Sequence, residues 1–429
     1  MKINMVSLGC PKNLVDSEKI LGALCTAGIE ISDSAEDCDA MILNTCAFIS
    51  PAMDETESEI QKCLGLATDG RRLFVVGCAV NRYGDELKQR YPTVAGWYSL
   101  EDVPALIKKL APGAALNLRT RLPTTHGFTY LKISDGCSNS CSYCTIPSIK
   151  GPHRSFDIND LVAEANELAV LGFTELILIG QDTTRYGIDV YGKPMLIPLL
   201  NRLAGIPGIE WLRLMYAHPR TIDESVIKEI TRNPKICKYI DLPIQHINSR
   251  ILKSMNRGVD RHRIVEVVRE LKSIPDIALR TTIIVGYPTE TDDEFSELME
   301  FLSQGYFDWL GVFPYYREPG TRAAQLPQLP DEVITDRYEM ALALQQELLK
   351  RKNTERCGKT YQTLIHARDR QFVGHAKFCA PEIDSRILIH QGNLALGRTY
   401  DIQITDTVGT DLRGEVTNVH EKRGTRSET

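Results

Sequence analysis

The stretch Phe128-Thr-Tyr-Leu-Lys-Ile-Ser-Asp-Gly-Cys137-Ser-Asn-Ser-Cys141-Ser-Tyr-Cys144 decides how this chain is read. Its first part, Phe128–Ile133, is a short continuous apolar run of the kind found in buried parallel strands. It leads directly into a loop with three cysteines in C-x3-C-x2-C spacing. Five more apolar runs follow: Leu176–Ile179, Trp211–Met215, Tyr239–Leu242, Leu279–Val285 and Trp309–Phe313. Each precedes a loop and a helical pattern, or, after the last, the polar loop Arg317–Pro330. Six such units predict a barrel or partial barrel, closed by a long helix over Asp331–Lys352. Chemistry in that architecture sits at the carboxyl ends of the strands, where the three thiols lie.

Upstream, the runs Ile3–Leu8, Ala40–Leu43 and Leu73–Val76 alternate with helical patterns over Asn13–Ala27, Met53–Leu66 and Arg82–Arg90, which predicts a parallel α/β sheet. Ala111-Pro-Gly-Ala-Ala and Arg119–Pro123 read as a linker. Downstream, Tyr361–His366, Arg386–His390, Thr399–Ile404 and Arg413–Val416 read as strands of a small all-β module, and Glu421–Thr429 as a disordered polar tail. The expected boundaries are residues 1–112, 123–352 and 353–421, within a multidomain α/β chain of 429 residues, too long for one core.

Composition narrows the function. Hydrophobic residues make up 43% and charged residues 25%, an ordinary globular balance. No run approaches the ~20 apolar residues of a membrane span, and Met1–Asn13 lacks the form of a signal peptide. The chain is therefore expected to be cytoplasmic, where a disulfide framework for its 12 cysteines is out of place. The net charge of −6 speaks against a nucleic-acid partner without excluding a local basic patch. Residues 353–429 carry 11 Lys plus Arg against 10 Asp plus Glu, so the terminal module is nearly neutral.

Three thiolates in one loop can face one metal centre, and a four-iron cube wants four ligands. The local run provides three, leaving one iron open. Structural zinc arrives in paired C-x2-C or C-x2-C/H-x3-H units, and no second pair is present. Cys10, Cys46 and Cys78 each follow a predicted N-terminal strand, 36 and 32 residues apart. In a parallel sheet all three converge on one edge. Inert buried thiols are the alternative, which the shared topological position makes improbable. Cys25, Cys38, Cys63, Cys237, Cys357 and Cys379 lack this regularity and receive no role.

C-x3-C-x2-C with Tyr143 before the third cysteine, at the mouth of a six-unit β/α barrel, resembles the radical-SAM superfamily. That resemblance implies that the open iron chelates the amino and carboxylate groups of S-adenosylmethionine (SAM), and that one electron from the cluster releases a 5′-deoxyadenosyl radical. Two open three-cysteine clusters plus a terminal β module resemble its methylthiotransferase branch over nearly the whole chain. The implied fold is a flavodoxin-like domain, a partial barrel and a small barrel similar to a TRAM domain. The motifs Gly9-Cys-Pro-Lys-Asn-Leu-Val-Asp-Ser-Glu18, Lys132-Ile-Ser-Asp-Gly-Cys137, Ile146-Pro-Ser, Leu242-Pro-Ile-Gln-His-Ile247 and Ala380-Pro-Glu-Ile-Asp384 are similar to the members that modify a ribosomal protein. The tRNA-modifying members typically read Gly-Cys-Gln-Met-Asn over the first of these. The resemblance implies two 4Fe–4S clusters, one on Cys137, Cys141 and Cys144 for SAM cleavage and one on Cys10, Cys46 and Cys78 carrying the sulfur. It also implies an aspartate β-carbon of a small-subunit ribosomal protein as target and an electron donor such as flavodoxin or ferredoxin, with a tRNA substrate acting through isopentenyl-adenosine as the alternative. An electron carrier without catalysis is a further reading that the barrel disfavours. No general-base pair or Ser–His–Asp arrangement is evident.

Two motifs depart from the wider superfamily. Gly180-Gln181-Asp182-Thr183 stands where many members read Gly-Gly-Glu-Pro, and Gly286-Tyr-Pro-Thr-Glu-Thr291 has Thr289 in place of a turn glycine. Tyr143, Gln181 and Gln245 are the expected cofactor contacts. Asp182 could contact the cofactor or cap a helix. His218 and His246 could serve the site or be satisfied polar residues, and Arg213 could reach inward to a carboxylate or stand in solvent. Tyr315 and Tyr316 could line the cavity or pack it. In the loop Lys150-Gly-Pro-His-Arg154, Arg154 is the one expected near the cluster and Lys150 the solvated one.

Overall fold

The computed structural model describes residues 1–67, 70–113 and 120–418. Part of the expected linker and the tail Glu421–Thr429 therefore lie outside the described residues.

The N-terminal sheet holds β1 (Lys2–Ser7), β2 (Glu30–Ile31), β3 (Ala40–Thr45), β4 (Arg72–Gly77) and β5 (Gly96–Tyr98), all parallel, in the order β2-β1-β3-β4-β5. That is the flavodoxin-like order, whose switch point lies between β1 and β3. β3 is buried on both faces because helices cover each side. The helices are α1 (Pro11–Thr26), α2 (Ser50–Leu66), α3 (Cys78–Arg90) and α4 (Val103–Leu110). Sequence patterning found three of these five strands; β2 and β5 are too short to show a period.

The second sheet begins with β6 (Phe128–Lys132). A two-stranded ribbon, β7 (Ser134–Asp135) with β8 (Arg154–Ser155), brackets the cysteine loop and the short helix α5 (Ile146–Lys150). Then come β9 (Glu175–Ile179), β10 (Trp211–Leu214), β11 (Ile236–Asp241), β12 (Ala278–Val285) and β13 (Trp309–Pro314). The order β13-β12-β11-β10-β9-β6 is parallel and open, since β6 and β13 do not pair. This is a partial barrel. Helices α6 (Ile158–Val170), α7 (Ile188–Tyr191), α8 (Leu196–Ala204), α9 (Glu224–Arg232), α10 (Ser249–Ser254), α11 (Arg261–Lys272) and α12 (Asp292–Ser303) connect the strands, and α13 (Asp331–Thr354) follows. Asp157, Asp223, Asn248, Asp260 and Thr291 cap the first turns of α6, α9, α10, α11 and α12, which fixes where those helices begin.

Alternate residues of the barrel strands divide between two cores. Leu131, Leu176, Leu178, Leu212 and Leu214 pack under the helices. Phe128, Tyr130, Ile177, Trp211, Tyr239 and Trp309 face the concave side and pack against the C-terminal module. That module is a closed five-stranded barrel of β14 (Thr360–Arg368), β15 (Phe372–Ala376), β16 (Ile387–Ile389), β17 (Arg398–Val408) and β18 (Asp411–Asn418). β15 escapes sequence patterning because Gly374 interrupts it. A Cβ there would lie 2.6 Å from Thr363 Cγ2 and 2.9 Å from the Leu364 carbonyl oxygen, so the glycine answers to close packing.

The connection between β15 and β16 floors the concave face. Tyr130 donates to Glu382 at 2.6 Å, Tyr239 to Asp384 at 2.7 Å, and Trp309 to the Phe378 carbonyl at 3.0 Å. Arg213, fully buried, bonds Glu175 at 2.8 Å and the carbonyls of Lys377 and Ala376. Its inward reach thus serves the joint between modules. Cys237 and Cys379 are core thiols of the same joint, and no helix among the described residues is long and apolar enough to cross a membrane.

Candidate metal centres at the barrel mouth

Gly136 starts the cysteine loop at φ +71, where a Cβ would lie 2.1 Å from the Pro152 carbonyl oxygen. The Cys137 N–H donates to Gly151 at 3.0 Å, and the Cys144 N–H to Cys141 at 3.2 Å. Ser142 anchors the loop's underside through Tyr287 at 2.8 Å and the Ser254 carbonyl at 2.9 Å. The three thiols are within electrostatic reach of one another. Burial pushes Cys144 up to about 12, and Cys141 and Cys137 push the same way. Burial also raises Cys137, with Cys141 adding to it. Arg257 opposes this: its Nη1 is 3.5 Å from Cys141 Sγ.

Cys10, Cys46 and Cys78 end β1, β3 and β4 at the carboxyl edge, as the sheet order requires. Cys10 is the residue before α1, and Cys78 opens α3, so two of the three stand at helix N-termini that favour negative charge. Gly9 (φ +85) permits the close approach, since a Cβ there would lie 2.9 Å from Cys46 Sγ. Asn13 ties the loops together. Its amide donates to Leu8 and Thr45 carbonyls, and its Oδ1 lies 3.5 Å from Cys78 Sγ. Burial pushes Cys78 up to about 12; Lys150 lowers it, and Cys46 and Cys10 raise it.

Among the described residues no three His, Cys, Asp or Glu side chains stand close enough to share a single ion. Thiolates on one zinc would sit roughly 4 Å apart, given bonds of ~2.3 Å. A cube instead offers each thiolate its own iron, and a bound cluster removes the cost of ionising clustered, buried thiols.

The two trios are locked to one frame. Lys132 pairs with Asp16 and, at 3.1 Å, with Asp135; Lys150 pairs with Asp16 at 3.3 Å and Asp135 at 3.7 Å. Thr145 donates to the Phe48 carbonyl and Asn81 to that of Ile149, so α5 sits directly on the N-terminal domain. The Lys150 side chain is therefore buried and Arg154 exposed, the reverse of the expectation, because α5 turns Lys150 toward the two aspartates.

The other expected residues divide. Gln181 donates to Asp135 at 3.1 Å and leaves a buried Oε1 without a partner. Asp182 makes no helix-capping bond; it accepts from Asn139 at 2.9 Å, and Asn139 in turn binds Arg220. Gln245 sits at φ +70, its backbone bonded to Thr282 and Ile284. Tyr143 packs beside Tyr287 and Tyr315, and Tyr315 is buried. His246 is fully engaged by Glu290 at 3.0 Å and the Asn248 N–H at 2.9 Å, hence structural. His218 accepts from the Arg220 N–H, and burial holds it neutral, near 2. Thr289 keeps the turn conformation at φ +68; Arg250 clamps its hydroxyl and carbonyl.

Ser134 Oγ, Gln181 Oε1, Arg185 Nε, His218 Nε2 and Arg257 Nε are buried polar atoms without protein partners around the first trio. Such groups are normally satisfied, by protein, ordered water or a bound ligand. A zwitterionic, ribose-bearing cofactor fits that donor and acceptor set. Arg257 had no local signal in the sequence. Lys132, Asp135 and Asp16 did: charges embedded in or beside apolar, cysteine-bearing motifs.

Three family descriptions match: the radical SAM superfamily over residues 131–302, the uncharacterized protein family UPF0004 over 2–99, and the TRAM domain over 357–417. Among solved structures, the radical SAM methyltransferase TsrM from Kitasatospora setae superposes with a TM-score of 0.53 at 13% identity, covering 75% of this chain and 73% of that one. That likeness is one of fold. Proteins called "Ribosomal protein uS12 methylthiotransferase RimO" are 40% identical in Caldicellulosiruptor saccharolyticus, 41% in Pelotomaculum thermopropionicum and 39% in Aquifex aeolicus. Each alignment covers 97% of this chain and at least 98% of the relative. Identity at that level over nearly the full length of both chains places the chain in the RimO methylthiotransferase family of radical SAM enzymes.

Proposed function

We propose that this radical SAM transferase adds a methylthio group to the β-carbon of an aspartate in ribosomal protein uS12, in the cytoplasm. The observation that carries the reading is the frame of Lys132, Lys150, Asp16 and Asp135, which ties the cysteine loop after β6 to the domain that bears Cys10, Cys46 and Cys78. The names of the full-length relatives support the substrate. Cys137, Cys141 and Cys144 would hold one 4Fe–4S cluster, with Gln181, Gln245 and Tyr143 toward SAM; Cys10, Cys46 and Cys78 would hold the second. When bound, these groups supply one-electron hydrogen abstraction from an unactivated carbon and a transferable, methylated sulfur.

The chain's own residues then bind, orient and exclude water. Arg257 offsets negative charge at Cys141. The partnerless atoms of Ser134, Gln181, Arg185 and His218 take the cofactor's polar groups. The floor of Phe378 to Asp384 covers the barrel from below and leaves the mouth for the substrate. Electrons would come from a small carrier of the flavodoxin or ferredoxin type.

The test is anaerobic turnover by reconstituted enzyme with SAM and reductant, offered a uS12 loop peptide and isopentenylated tRNA in parallel. A methylthio mass increment on the peptide alone is expected. An increment on the tRNA alone would overturn the substrate and leave the radical chemistry standing.

A further inference from the structure

Lys12 is a buried cation at the mouth with no ion-paired carboxylate among the described residues. Lys12, in the first turn of α1, is 7% exposed and reaches from the N-terminal domain into the barrel mouth. Its Nζ lies 3.4 Å from the Gly180 carbonyl oxygen, just past β9, and 3.3 Å from the centre of the Tyr216 ring, beyond β10. An ammonium has three donors, and one long carbonyl contact plus the ring and hydroxyl of Tyr216 leave at least one unmet. Lys132 and Lys150, equally buried nearby, each have two carboxylates. Lys12 has none at ion-pair distance among the described residues. Tyr216, Cys10 and Asp241 lie within its field, and the one carboxylate among them, Asp241, is committed to Arg280 at 3.3 Å and to the Tyr216 N–H at 3.1 Å. Tyr216 sits at φ +57, a costly backbone for a tyrosine, and its ring lies against the ammonium.

We propose that Lys12 is a carboxylate subsite for the substrate. Its ammonium binds the side-chain carboxylate of the target aspartate and so fixes the adjacent β-carbon at the mouth. This rests on the protein-substrate reading above. The position fits: Lys12 is two residues past Cys10 and touches the residue before Gln181, so it stands between the second trio and the cofactor seat. The residue type fits as well, since an ammonium pairs with a carboxylate through charge-assisted hydrogen bonds. A competing role for the same charge is to balance a cluster on Cys10.

The experiment uses full-length, reconstituted enzyme and two uS12 loop peptides, one with the target aspartate and one with asparagine there. Affinity is measured without reductant, turnover with it. Wild type is expected to prefer the aspartate peptide. Lys12→Met should weaken binding and kcat/KM for that peptide by about 10- to 100-fold, the scale of a lost charge-assisted hydrogen bond. It should leave the asparagine peptide unchanged, so the preference collapses, whereas Lys12→Arg should preserve it. An unchanged aspartate-to-asparagine ratio in Lys12→Met overturns the assignment. So does loss of the second trio's iron–sulfur EPR signal, which would assign the charge to the cluster. If wild type itself handles neither peptide, the substrate reading fails and takes this assignment with it, an outcome recognisable without any variant.

Discussion

A cysteine's task in this chain follows from the strand it ends. Cys141 lies in the loop after β6, beside Arg257 and the partnerless polar atoms; Cys46 ends β3 in the other domain. Cys141→Ala should abolish SAM cleavage. Cys46→Ala should retain part of it and lose methylthio transfer, read as 5′-deoxyadenosine against modified peptide by mass spectrometry. Equal loss of cleavage in both variants would sink the division between the trios. Both trios were legible in the sequence, one through tight spacing and one through a repeated topological position. Lys12 and Arg257 were not. A single charged residue carries no pattern, and its meaning comes only from what the fold brings near it. Lys150 shows the same limit, because its burial depends on where α5 docks.

At the level of elements, α1 binds the first two domains. Its Glu18 is buried and takes Arg121 Nε at 2.7 Å and the Thr124 N–H at 2.7 Å, while Arg121 Nη1 also contacts Glu164 at 3.2 Å. The chain entering the barrel crosses α1 at Gly22, where a Cβ would lie 2.4 Å from the Thr120 carbonyl oxygen and 2.8 Å from Arg121 Cα. Two effects oppose each other in Gly22→Ala. Alanine favours the helix by up to about 1 kcal/mol. The clash is with backbone, which cannot swing aside, and overpacking of this kind costs about 1–3 kcal/mol. Net destabilisation is expected, seen as a lower midpoint in denaturant. A gain in stability would show that the crossing yields easily. Strands of five or six apolar residues were readable from the sequence. The two-residue strands and the glycine-broken β15 were not, since a period needs several residues to declare itself.

For the whole molecule, the governing joint is between the open barrel and the closed one. Burial alone would raise Glu175, but Arg213 and His375 outweigh it and hold the carboxyl down at about 2. The sign follows. A depressed carboxyl stabilises the fold above its ordinary value of 4.5, and that contribution drains away as pH falls toward 2. Wild type should therefore lose stability between about pH 4.5 and 2 more steeply than Glu175→Gln, followed by denaturant midpoints across that window. Matching slopes would remove Glu175 from the joint's pH response. The sequence announced six barrel strands through their short apolar runs. It gave no sign that a separate small barrel covers them on one side, because partners across a joint share no local pattern. Translation delivers that floor after the barrel strands. Until it arrives, Phe128, Trp211 and Trp309 line a bare aromatic trough in the nascent chain. A product that stops before β14 would leave that trough open to chaperones and proteases, so the small barrel guards the larger one during synthesis as well as after it.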